Sequence, residues 1–203
     1  AEVGGLCILR GCMPSKTLLE SAHRAEAIRH AGEFGLRAEY LGADGAAIRA
    51  RKRRLIGEFV DYRRGQLESG RFTFIRGRAA FADPHTIEVQ LHDGGAQRLT
   101  ARAFLVATGS AVNYLDLPGL RESGAWTSDD VLDADTIPAS VIILGGGAIA
   151  LELASYYCGV GSKVTVIQRG AQLLTGSDPD VADALTTALE HRGIIIHRGT
   201  TLL

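Results

Sequence analysis

The spacing of apolar residues changes several times along this chain, and each change marks a different kind of element. Leu18, Leu19, Ala22, Ala25 and Ile28 fall at helical spacing behind Pro14, whose fixed φ suits a first helical turn, so a helix is predicted here with Gly32 as its stop. A second helix is predicted over about 44–68 on Ile48, Leu55, Ile56, Phe59, Val60 and Leu67. Beyond Gly70 the runs become short and rich in β-formers, at 72–75, 86–91 and 103–106, with Asp83-Pro84 and Asp93-Gly94-Gly95 as turns between them. That alternation predicts a small antiparallel meander. From Val141 the pattern changes again, to an unbroken apolar run at 141–144, a glycine cluster, an apolar helical stretch and a second strand-like run at 164–167. Asp178, followed by Pro179 and Asp180, then opens a helix that stops near Gly193, ahead of Ile194, Ile195 and Ile196. Strand, helix, strand, helix, strand is the rhythm of a parallel sheet, so the fold class is α/β.

Composition sets limits on partners. The 203 residues can form one large domain or two small ones, and the apolar content is ample for a core. A formal net charge of −1 argues against a nucleic-acid or membrane partner for the chain as a whole. No apolar run approaches the ~20 residues that span a bilayer. No secretory signal opens the sequence, so a reducing cytoplasm is the expected compartment. The cluster Arg49, Arg51, Lys52, Arg53 and Arg54 interleaves with the apolar stripe of the second helix and reads as a solvated helix face.

The glycine cluster carries chemistry. Gly145-Gly146-Gly147-Ala148-Ile149-Ala150 follows a strand and opens a helix that continues through Leu151 and Glu152, which is the Gly-x-Gly-x-x-Ala form of the dinucleotide fingerprint. Gly145 permits the tight turn, Gly147 lets backbone approach a pyrophosphate, and Ala150 allows close helix-to-strand packing. The competing reading is a glycine-rich turn with no ligand. At the tip of the next strand, where an acidic residue would accept hydrogen bonds from a ribose 2′-hydroxyl, stand Gln168 and Arg169. An uncharged amide beside a guanidinium tolerates a 2′-phosphate, so NADPH is expected to be preferred over NADH.

Two of the three cysteines, Cys7 and Cys12, lie in the run Gly4-Gly5-Leu6-Cys7-Ile8-Leu9-Arg10-Gly11-Cys12-Met13-Pro14-Ser15-Lys16. Positions five apart in a regular helix are roughly 8 Å apart, beyond the about 7 Å between Cα atoms that a disulfide tolerates. A bond between them therefore places Cys7 on a loop ahead of the helix that Cys12 opens, with Gly11 as the tight turn. At that helix N-terminus the unpaired N–H groups favour a thiolate, so Cys12 is expected to have the lower thiol pKa. A reactive dithiol, a structural bond and a metal site compete for this pair. A zinc site wants four ligands, and neither a second cysteine pair nor a His-x-x-x-His element follows. Cys158 follows a helical apolar run and reads as a small buried hydrophobe.

The segment from Gly4 to Lys16 resembles the redox-disulfide signature of the class I pyridine nucleotide-disulfide oxidoreductases, the flavoenzyme family of dihydrolipoamide, mercuric and glutathione reductases. It is most similar to the dihydrolipoamide dehydrogenase and mercuric reductase branch, although Leu6, Leu9 and Arg10 stand where the family usually has Thr, Asn and Val. Ala107-Thr108-Gly109 and then Trp126 to Asp130 follow in family-like order. The resemblance implies the central part of an FAD-binding Rossmann-like domain with the meander over 1–112, and the N-terminal part of an NAD(P)-binding Rossmann domain over 113–203. It also implies that the chain is a piece of a longer protein, lacking a first glycine fingerprint for FAD, a later Gly-Asp segment and a C-terminal interface domain. None of the six histidines matches the acid–base His of that last domain.

Carried to this chain, the resemblance makes Cys7 the interchange thiol facing substrate and Cys12 the thiol facing the flavin, the two forming a redox-active disulfide. Lys16 is implied near the flavin, paired with Glu152. Gly4, Gly5, Lys16, Ala107, Thr108, Gly109, Gly145, Gly147, Ala148, Ile149, Glu152, Gln168 and Arg169 are the implied cofactor contacts. Arg169 matches the first of two arginines of glutathione reductase-like sequences, while Thr175 stands where the second is expected, and Ala148 replaces their Tyr. The implied activity is electron transfer between NAD(P)H and a small disulfide, dithiol, quinone or metal-ion substrate, in a homodimer. A flavin-free NAD(P)-binding module with a redox-sensing thiol pair is the alternative from another functional class.

Overall fold

A computed structural model describes residues 3–202; positions 1, 2 and 203 of the expected domain ranges lie outside the described residues. In chain order the elements are α1 (Gly5–Arg10), α2 (Cys12–Arg29), a 3-10 turn (Ala31–Phe34), α3 (Gly45–Leu67), β1 (Gly77–Asp83), β2 (Thr86–Leu91), β3 (Ala96–Thr100), α4 (Ser128–Asp133), β4 (Ser140–Leu144), α5 (Ala148–Val160), β5 (Lys163–Ile167), α6 (Pro179–His191) and β6 (Ile195–His197). They build two three-stranded sheets: an antiparallel meander β1-β2-β3 and a parallel sheet in the order β4-β5-β6.

Local chemistry accounts for most boundaries. Asp44 caps α3 by accepting a hydrogen bond from the Ala47 N–H at 3.0 Å. Thr127 and Asp130 form a reciprocal capping box at the start of α4. Gly161, at φ 111°, ends α5 in the left-handed conformation, and Pro179 fills the first turn of α6.

The apolar stripe of α2 buries Leu18, Ala22 and Ala25. Leu18 and Ala22 join one core with Leu151, Ala154, Tyr157 and Val160 of α5, Val164 and Val166 of β5, Leu173, Leu189 and Ile194. Helices α2 and α5 approach closely at Ala22 and Gly159, where a β-carbon on Gly159 would lie 2.5 Å from that of Ala22. The Arg29 guanidinium donates to the Gly159 carbonyl, and the Tyr40 hydroxyl donates to the Val160 carbonyl at 3.0 Å. The helix that Cys12 opens is thus locked along the helix that follows the glycine cluster.

Several expectations are corrected. The runs at 72–75 and 103–106 are not strands, whereas the less apolar Ala96–Thr100 is. Strand β2 is bounded by its two turns, and its register pairs Gly77 with Leu91 and Asp83 with Thr86, so residues before Arg76 run past its end. Asp93-Gly94-Gly95 instead folds Ala96–Thr100 back onto β2. Residues 103–106 pair with no strand among the described residues, and Leu105 is 93% exposed, because an apolar run becomes a strand only beside a partner. Helix α2 ends at Arg29 rather than at Gly32, since the 3-10 turn intervenes and Gly35 supplies the left-handed residue at φ 73°.

The basic cluster of α3 is a solvated face only in part: Arg51, Arg53 and Arg54 are exposed, whereas Lys52 is buried. Lys52 is 7% exposed and donates to Asp133 at 2.7 Å, Arg53 reaches the same carboxylate at 3.2 and 3.3 Å, Arg49 pairs with Asp135 at 2.5 Å, and Arg51 donates to the Thr17 carbonyl at 3.0 Å. The cluster fastens α3 to α4 and to α2. No helix among the described residues is long and apolar enough to cross a membrane.

Candidate functional site

The cysteine pair is built by a break between two helices. Cys7 lies within the short α1 and Cys12 is the first residue of α2, so the expectation of Cys7 on a loop is overturned. The five-residue spacing still brings the pair together because Gly11, at φ −130° and ψ −124°, interrupts the helical path. A β-carbon at Gly11 would lie 3.1 Å from the Leu6 carbonyl oxygen and 3.2 Å from the Cys7 Cα, so the absent side chain is what lets the start of α2 close on Cys7. Both thiols are free and exposed. The Cys12 thiol is raised above its ordinary pKa, first by its hydrogen bond with the Cys7 sulfur, then by the charge on that sulfur and by desolvation, against an opposing pull from Lys16. The hydrogen bond with a neighbouring sulfur thus works against the pull of the helix N-terminus on this thiol.

One turn further along α2, Lys16 and Ser15 converge on α5. The Lys16 ammonium donates to Glu152 Oε1 at 2.5 Å and the Ser15 hydroxyl donates to Glu152 Oε2 at 2.8 Å. Partial burial pushes the Glu152 carboxyl up, but the Lys16 and Ser15 bonds together outweigh it and hold the group below its ordinary pKa. Ser15 was not singled out from the sequence. Its position immediately before Lys16, in a helix whose next turn packs on α5, is the signal that could have found it.

The glycine turn joins β4 to α5. Gly145, at φ 107°, donates to the Ile167 carbonyl at 2.8 Å, and Gly147 caps α5 without any side-chain bond. Where a β-carbon would stand at Gly145 or Gly147 nothing lies within 4 Å, so the N-terminus of α5 is open to an anion. Gly146 behaves differently. Its N–H donates to Gln168 Oε1 at 3.1 Å, its carbonyl accepts from the Leu174 N–H at 2.8 Å, and a β-carbon there would lie 2.7 Å from Leu173 Cδ2. Gln168 Nε2 donates in turn to the Gln172 carbonyl and to Thr175 Oγ1, both at 3.2 Å. Arg169 is exposed.

Two cavities run between these features. One, of about 870 Å³, is lined by Gly5, Leu6, Arg10, Gly11, Ala107, Thr108, Gly109 and Ile149 among others. The other, of about 830 Å³, is lined by Gly145, Gly147, Ala148, Ile149, Trp126 and Tyr157 among others. Ile149, 65% exposed, belongs to both, as do Tyr114 and Thr127. The fold thus gathers Gly5 and Ala107 to Gly109 at one cavity and Gly145, Gly147 and Ala148 at the next, while Gly4 caps α1, Lys16 and Glu152 meet beside the dithiol, and Gln168 and Arg169 line neither cavity. Cys158 is remote from the pair: its half-buried thiol donates to the Arg192 carbonyl at 3.2 Å, and burial pushes its pKa up.

The whole chain, residues 1–203, matches the family described as pyridine nucleotide-disulphide oxidoreductase. Among curated relatives it is 30% identical over 194 residues to a dihydrolipoyl dehydrogenase of Geobacillus stearothermophilus, which covers 95% of this chain and 41% of that protein. It is 33% identical over 200 residues to a mercuric reductase of Bacillus cereus, covering 98% of this chain and 31% of that one. Among solved structures, the HOCl-induced flavoprotein disulfide reductase RclA from Escherichia coli superposes with a TM-score of 0.79 at 26% identity, over 100% of this chain and 42% of its own. The chain belongs to the pyridine nucleotide-disulphide oxidoreductase family, and its meander and parallel sheet follow that family's domain organisation. It spans 31% to 42% of the length of these three relatives.

Proposed function

We propose that the protein carrying this chain is an FAD-dependent oxidoreductase that passes electrons between NAD(P)H and a substrate through Cys7 and Cys12. The observation that carries this reading is the direct tie between the dithiol helix and the nucleotide helix, Lys16 and Ser15 of α2 on Glu152 of α5. Residues 1–112 are then the central part of the flavin domain and 113–203 the first part of the nucleotide domain.

The residues present fit both cofactors. The glycine turn is clear of side chains at Gly145 and Gly147 over an N-terminus that no side chain caps, which suits the pyrophosphate of a dinucleotide. The cavity lined by Gly5 and Ala107 to Gly109 opens beside the dithiol and suits the flavin. Bound there, FAD supplies two-electron carriage between nicotinamide and dithiol. The chain's own part is thiol chemistry: two electrons and two protons break the Cys7–Cys12 bond and leave two thiols, and the reverse step returns them. Because the two sulfurs lie within hydrogen-bond reach, loss of the first proton from the dithiol leaves a thiolate that accepts from the remaining thiol. Lys16, held by Glu152, places a cation near that charge.

Curated relatives are named as dihydrolipoyl dehydrogenases and mercuric reductases, so the substrate falls among disulfides, dithiols and metal ions; quinones remain within the proposed range. A homodimer working in the cytoplasm completes the proposal. The test is a visible spectrum of the intact protein during anaerobic titration with NADH and with NADPH. A flavin spectrum that bleaches and consumes two further electrons per subunit, lost in Cys7→Ser and Cys12→Ser, is expected. A colourless intact protein that still binds nucleotide would replace this reading by the flavin-free redox-sensing module.

A further inference from the structure

Gln168 stands just beyond the C-terminal tip of β5, where side chains of a βαβ unit face a bound ribose, yet its amide is turned back under the glycine turn. We propose that Gln168 is a positioning residue that braces the turn and takes no part in discriminating NADPH from NADH. This rests on the nucleotide site of the proposed function.

An amide has two N–H donors and one carbonyl oxygen. Here Oε1 accepts from the Gly146 N–H, and the Nε2 donors serve the Gln172 carbonyl and Thr175 Oγ1. Gln168 therefore has no donor left for a 2′-phosphate. The same brace fixes both backbone groups of Gly146, since the loop that supplies Gln172 and Thr175 also sends the Leu174 N–H to the Gly146 carbonyl. Leu173, fully buried, packs against Gly146, and Leu174 is held at φ 48°, the one positive φ outside glycine among the described residues. Thr175, where a second arginine would stand in glutathione reductase-like sequences, is here part of the brace. The middle glycine is clamped, while Gly145 and Gly147 on either side stay clear for the ligand. Arg169 is exposed and has no hydrogen-bond or ion-pair partner among the described residues, so its guanidinium is available to a phosphate.

The experiment uses the intact, flavin-loaded protein and measures equilibrium dissociation constants for NADP⁺ and NAD⁺, with deuterium exchange of the peptide spanning 144–151 as a second readout. Gln168→Met keeps the bulk and removes all three bonds. It is expected to weaken both nucleotides by about fivefold or more, leave their ratio within about twofold, and speed exchange in the glycine turn. Thr175→Val, which removes one bond and keeps the shape, gives a smaller change in the same direction should Gln168→Met fold poorly. A Gln168→Met protein that loses affinity for only one nucleotide, or that changes neither affinity nor exchange, overturns the proposal while leaving the proposed function standing. A wild-type protein that binds neither nucleotide overturns both.

Discussion

Ser15 illustrates how one hydroxyl can act on an ion pair, Lys16 with Glu152, without being one of its charges. Glu152 is partly buried, which favours its neutral form, and it stays charged because Lys16 and Ser15 each donate to it. Removing the hydroxyl takes away part of what lowers the carboxyl. Ser15→Ala is therefore expected to move the acid limb of the pH–rate profile to higher pH, because Glu152 is protonated sooner as pH falls and then releases Lys16. The loss at neutral pH is expected to be on the order of 1 kcal/mol, about fivefold in rate. Ser15→Thr, which keeps the donor, should restore the profile. A Ser15→Ala profile that superposes on wild type would show that Lys16 alone holds the carboxylate.

At the scale of elements, α2 and α5 cross at a pair of small residues, Ala22 and Gly159. Exposed helical Gly→Ala substitutions usually gain about 1 kcal/mol in propensity. Gly159→Ala should instead destabilise by about 1–3 kcal/mol, because the new methyl meets the Ala22 β-carbon at 2.5 Å and two packed helices must separate. Ala22→Gly makes room. In that background the same Gly159→Ala change is expected to be neutral within about 1 kcal/mol, a coupling that denaturant unfolding of the four proteins of the cycle measures directly. Equal cost in both backgrounds would show that the helices do not bear on each other there.

Over the whole molecule, the contacts that join α3 to α4 are ionic, and they titrate. Asp133 is held at about 2, first by the Arg53 hydrogen bond and then by Lys52, against a small opposing effect of burial. A carboxyl lowered by folding contributes stability that is present above its ordinary value near 3.8 and disappears as pH falls towards about 2. Asp133 is itself 57% exposed, so solvent screening reduces the pair, although Lys52 at 8% would be left buried without it. Asp133→Asn is expected to cost about 1–2 kcal/mol at pH 6, and the gap to wild type should close between pH 4 and pH 2. Thermal unfolding of both proteins across that range is the check, and a gap that persists unchanged at pH 2 would mean the loss is one of shape.

The sequence alone determined what depends on neighbours a few residues away. The helix start near Asp44, the turn at Asp93-Gly94-Gly95, the strand–glycine–helix unit and the thirteen residues around Cys7 and Cys12 were all legible, because each is a local conformational requirement written in a few side chains. What required the fold were the pairings between distant segments. Lys52 looked solvent-facing until Asp133 arrived from 81 residues away, and the partners of the Gln168 amide, Gly146, Gln172 and Thr175, come from the glycine turn and the following loop. The apolar run at 103–106 had strand composition and found no strand to pair with among the described residues, while poorer Ala96–Thr100 had one. The surroundings of Cys12 also belonged to three dimensions: periodicity places it at a helix start, but only the closure at Gly11 sets a second sulfur against it, which raises the thiol. Hydrogen-bonding capacity and charge are properties of a residue, whereas the partner that uses them is chosen by packing.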